Sequence, residues 1–94
     1  MELVFDVGQL ETHRVVFRFN KFWGGLSIRV DDHPVVRDLR MFSVKTIKTY
    51  RFSIGEDEVH QVQIDKIRPV ALAGFRQQQV KAYVDGVLAA EGVG

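Results

Sequence analysis

The residue types that carry most protein chemistry are sparse in this chain, and their spacing points away from catalysis. Three histidines, His13, His33 and His60, stand far apart in the sequence, and none joins another His, Asp or Glu at the spacing of a metal-ligand set. Asp31-Asp32-His33 is the one compact run of acids and histidine, and a tight turn there sends its side chains apart. Ser27, Ser43 and Ser53 lack the context of a strained nucleophile turn. Gly24-Gly25 precedes a strand pattern instead of the helix that a phosphate loop requires. Glu56, Asp57 and Glu58 fall in a turn, where solvation explains them better than acid–base work does. The chain has no cysteine, which removes thiolate ligands, thiol nucleophiles and disulfides together. No catalytic residue, metal site or cofactor is assigned, and the chain reads as a non-enzyme.

Binding is the remaining chemistry, and two segments offer it. Trp23, beside Phe22 and ahead of Gly24-Gly25, is a large aromatic on a glycine-rich loop, suited to stack on a sugar or anchor a protein partner, or else to cap one end of the core. Arg37, Arg40, Lys45, Lys48 and Arg51 form a basic stretch with only Asp38 opposing it, which fits an acidic partner or an edge strand guarded against aggregation. The candidate contact residues are therefore Phe22, Trp23, Arg37, Arg40, Lys48 and Arg51. Arg14, Arg18 and Arg29 fall on polar strand faces, where light pairing with Asp and Glu accounts for them. Thirteen Lys and Arg against twelve Asp and Glu leave a net charge of +1, too weak a field for a dedicated nucleic-acid or membrane-surface binder.

The elements that must position these groups are strands. Leu3, Phe5 and Val7 alternate with Val4 and Asp6, and Val15, Phe17 and Phe19 alternate with Arg14 and Arg18, the period of a sheet with one buried face. Leu26, Ile28 and Val30 continue the pattern. Further alternation over Thr46–Ile54 sends Tyr50 and Phe52 to the core, and over Glu58–Lys66 it pairs Val62 and Ile64 with His60. Residues 36–44 read as a strand or bulged strand, and Pro34 belongs at a strand start or an edge. Asp85-Gly86, between Val84 and Val87, is a two-residue hairpin turn, and Asp31-Asp32 is a weaker version of it. Ninety-four residues with 46% hydrophobic and 27% charged content suit one soluble domain. The expectation is a single all-β domain over residues 1–94, an antiparallel β-sandwich or small barrel of seven or eight short strands, with no internal repeat beyond shared turn chemistry. The acidic amino terminus and the lack of a long apolar run predict a cytoplasmic protein with no membrane partner.

Taken in order, His13-Arg14-Val15-Val16-Phe17, Ile28-Arg29-Val30-Asp31, Met41-Phe42, Phe52-Ser53-Ile54-Gly55, Gln63-Ile64 and Tyr83-Val84-Asp85-Gly86 resemble the strand and turn motifs of the Fas apoptotic inhibitory molecule family across nearly the whole chain. Three features depart from that pattern: Asp32-His33 stands where the family has glycine and lysine, Arg40 where its tryptophan precedes Met-Phe, and the Phe22-Trp23 loop has no counterpart. The resemblance implies an all-β, non-enzymatic domain that works through protein contacts. From the residues themselves, one functional expectation is a domain that binds another protein or itself through a strand edge or the Trp23 loop. The other is a small-ligand or carbohydrate module lined by Phe22, Trp23 and Tyr83.

Overall fold

Leu3, Phe5 and Val7 are buried while Glu2, Val4 and Asp6 are exposed, so the alternation in the sequence is realised as a strand with one wet face. The computed structural model describes residues 1–19, 25–34, 39–44, 46–67 and 79–93. Phe22, Trp23 and Arg37 lie outside the described residues. The first sheet contains β1 (Glu2–Val7), β2 (His13–Phe19), β3 (Leu26–Val30) and the two-residue β4 (His33–Pro34). A second sheet contains β5 (Arg40–Val44), β6 (Ile47–Ile54), β7 (His60–Ile67), β8 (Gln79–Val84) and β9 (Val87–Val93). Each sheet keeps its strands in chain order, and every pairing is antiparallel. The fold is thus a small β-sandwich of two open sheets and not a closed barrel. It has nine strands among the described residues, more than the seven or eight expected, because the pairing of His33 and Pro34 adds a minimal edge strand.

The inward faces supply one hydrophobic cluster. Phe5, Val15, Phe17 and Ile28 come from the first sheet, and Phe52, Val62, Ile64, Val80 and Ala82 from the second. Phe17 and Tyr50 meet across the sandwich with ring centroids 6.2 Å apart and tilted, a favoured aromatic geometry. Tyr50 and Phe52 face the core as their alternation requires. Among the described residues no helix is long and apolar enough to cross a membrane.

Both hairpin turns have positive φ at the two central positions: 51° and 66° at Asp31 and Asp32, and 51° and 82° at Asp85 and Gly86. That is the turn whose twist matches a right-handed strand pair. Glycine adopts it without a steric cost at Gly86, whereas Asp32 bears a Cβ in the same left-handed region. Asp32→Gly is therefore expected to stabilise the protein by about 0.5–1 kcal/mol, read as a higher midpoint in urea denaturation, while Gly86→Asp shifts the midpoint the other way.

Candidate functional site

Two glycines begin the best-built constellation in the molecule. Gly8 follows β1 with φ +97°, and Gly55 follows β6 with φ +102°. A Cβ would lie 2.1 Å from the Glu11 carbonyl oxygen at Gly8 and 2.0 Å from the Glu58 carbonyl oxygen at Gly55. Only glycine lets the chain close these tight turns. Each closed turn presents a row of backbone N–H groups with no strand to receive them, a small anion-binding concavity.

The carboxylate that fills each concavity comes from the other turn. Glu58 accepts from the N–H groups of Gln9, Leu10 and Glu11 at 3.0, 2.7 and 2.9 Å. Glu11 in turn accepts from those of Glu56, Asp57 and Glu58 at 3.2, 3.0 and 3.0 Å. Behind each glutamate stands a histidine. His13 donates through Nε2 to Glu11 at 3.0 Å and through Nδ1 to Asp31 at 2.5 Å. His60 does the same with Glu58 at 2.8 Å and Asp85 at 2.5 Å. The second oxygen of each aspartate takes a backbone N–H, that of Arg14 for Asp31 and that of Gln61 for Asp85, both at 2.9 Å. The two halves of this clamp are reciprocal, as across an internal two-fold axis.

This arrangement corrects two expectations. The chain does carry an internal repeat: Gly8-x-x-Glu11-x-His13 recurs as Gly55-x-x-Glu58-x-His60, with the glutamates 47 positions apart. Glu58 is also not merely a solvated turn residue, since its carboxylate is held by three N–H groups and a histidine. The repeated spacing is the signal that strand alternation and turn chemistry overlooked.

Electrostatics follow from these contacts. Hydrogen bonds from the opposing backbone, then from His13, hold the Glu11 carboxyl down at about 2, and the same causes with His60 hold Glu58 at about 2. Asp31 pushes the His13 pKa up and Asp85 that of His60, each with help from the adjacent glutamate. Both ring nitrogens face carboxylates, which favours the protonated ring and leaves neither nitrogen turned toward a metal. Among the described residues no three metal-ligating side chains converge. The clamp binds its own backbone and fastens the two sheets at one end.

Of the candidate contact residues, Arg40, Lys48 and Arg51 lie elsewhere, on β5 and β6 of the second sheet. Arg40 and Arg51 are directly opposed on β5 and β6 and share the outer face, whereas Lys48 is opposed by Ser43 and belongs to the other face. The structure therefore separates Lys48 from the two arginines it accompanies in sequence. The Arg51 guanidinium lies 5.5 Å from the Phe42 ring centroid, and its Nε donates to Gln63 at 3.0 Å. Gln63 passes the relay to Asp65 at 3.1 Å, which also accepts from Thr49 at 2.9 Å. Tyr83 stands on the same face, in a shallow groove of about 540 Å³ that Arg51, Gln61, Gln63 and Asp65 also line. All of β5 is exposed, including Met41 (60%), Phe42 (46%) and Val44 (67%).

No family model, curated protein or solved structure matches this chain.

The clamp gives stability a definite pH profile. Raised histidine pKa values contribute stability in full below the ordinary value of 6.5, and that contribution is lost as pH rises through the folded values. Lowered glutamate values contribute above the ordinary 4.5, and that share is lost as pH falls toward about 2. Thermal denaturation across pH is expected to show its highest midpoint between 4.5 and 6.5, falling on both sides. In His13→Gln/His60→Gln the fall on the alkaline side should disappear while the acid limb persists.

Proposed function

We propose that the protein is a non-catalytic interaction domain that binds a partner protein by accepting one of the partner's strands along β5. The observation that carries this reading is the state of the four sheet edges. β4 is two residues long and contains Pro34, which has no N–H to offer. β1 and β9 lie beside one another, with Gly92 so close to Met1 and Leu3 that an added Cβ would approach Met1 Cε to 2.7 Å. Among the described residues β5 is left as the open edge, five residues long, with three exposed apolar side chains and no second strand paired to its outer side.

An exposed apolar edge of this kind is an aggregation hazard that proteins ordinarily blunt. Its retention here, next to a core that is otherwise well covered, supports a surface kept open for a partner. The sequence resemblance to the Fas apoptotic inhibitory molecule family supports the same reading, because it implies a β-domain that acts through protein contacts.

Site-specific photocrosslinking tests the edge directly. With p-benzoylphenylalanine at Val44 of β5, crosslinks to a distinct protein are expected in the native cell. They should exceed several-fold those formed from Val4, which is comparably exposed on the outer face of β1. Equal yields from the two positions would show that β5 is not the contact edge.

A further inference from the structure

In an antiparallel ladder directly opposed side chains lie side by side, and like charges at such positions are destabilising. The first sheet follows this rule. Arg18 is opposed by Glu2 and Arg14 by Asp6, and both pairs are joined, the second at 3.5 Å. The second sheet breaks it at two places: Lys48 of β6 is opposed by Lys66 of β7, and, at the edge of the sheet, Arg40 of β5 is opposed by Arg51 of β6.

Among the described residues neither guanidinium has a carboxylate partner. Arg51 is bonded through Nε to the neutral Gln63 side chain and is set over the Phe42 ring. Its terminal nitrogens remain available for a bidentate contact. Arg14 and Arg18 are matched with acids across their strands, whereas this pair is unmatched, on a sheet edge left open among the described residues.

We propose that Arg40 and Arg51 recognise a carboxylate side chain on the strand that β5 receives, which deepens the reading given above and rests on it. A strand laid along β5 places one residue directly across from Arg40 on the outer face, the relation that Glu2 holds to Arg18. Aspartate or glutamate there completes the missing ion pair. Two positions along the incoming strand its next outward side chain meets Phe42, and two further on Val44, so both of those are apolar. The partner's segment thus reads as an acid followed or preceded, at alternate positions, by two apolar residues. A second copy pairing through its own β5 does not fit, because that strand, Arg40–Val44, carries no acid to set against the arginines.

The test uses the isotope-labelled full chain titrated with two short peptides of alternating valine and threonine. They end, in register with the valines, in glutamate in one and glutamine in the other. At low salt the glutamate peptide is expected to shift the backbone amides of residues 40–44 and to bind about tenfold more tightly, roughly 1.4 kcal/mol. Arg40→Gln or Arg51→Gln should reduce it to the affinity of the glutamine peptide, with the remaining amide spectrum confirming that the fold is retained. Equal affinity of the two peptides at β5 would overturn the carboxylate proposal alone, leaving the arginines as guards of the edge. Failure of both peptides to bind at β5 would overturn the edge reading with it. Independently, Arg40→Glu should raise the thermal midpoint, because it supplies Arg51 with the opposed acid it lacks, and an unchanged midpoint would remove the premise.

Discussion

The reciprocal hold of Glu11 and Glu58 on each other's turns is the constraint from which the rest of the structure can be understood. A sandwich assembled from two sheets in chain order has few backbone hydrogen bonds between its layers, so apolar contact alone would leave their relative position loosely specified. Two carboxylates, each taking three backbone N–H groups from the opposite layer, add directional bonds where the core supplies only area. The demand spreads outward from there. Gly8 and Gly55 are required to close the turns, His13 and His60 to brace the glutamates, and Asp31 and Asp85 to orient the histidines while also ending β3 and β8.

The duplication gives the molecule an internal comparison. Both halves keep the glycine, glutamate, histidine and aspartate that fasten them, and both bury alternate apolar residues toward the same core. Their outer faces have diverged. On the first sheet the outer face of β1 and β2 carries two matched cross-strand ion pairs, Arg14–Asp6 and Arg18–Glu2. The second sheet carries an amide and carboxylate relay, Tyr83 in a shallow groove, and an extra edge strand with two opposed arginines. The shared architecture is met by either pattern, so the outer faces are not what sets the fold.

Much of the fold could be read from alternation alone. Leu3, Phe5 and Val7, or Tyr50 and Phe52, are buried because a strand with one wet face must hide every second residue. The cross-strand matching of Arg14 and Arg18 with acids was likewise legible as an ordinary polar face. The clamp was not, although its residues are plainly visible, because Glu11 and Glu58 look like solvated turn acids until the turns are brought together. Of the basic stretch, alternation over 46–54 already put Lys48 on the Tyr50 face and Arg51 on the opposite one. That Arg40 is set directly across from Arg51 is a matter of hairpin register, which the sequence did not show.

By itself, then, the sequence determined a β-domain with two aspartate-led hairpins and a buried alternate face on its central strands, because strand period and turn stereochemistry are local properties of the chain. Tertiary structure alone decided that two distant turns exchange glutamates, that two histidines are each set between two carboxylates, and that, among the described residues, β5 stays an open edge beside a pair of opposed arginines. These depend on which strands become neighbours, and pairing across 47 residues leaves no trace in local periodicity.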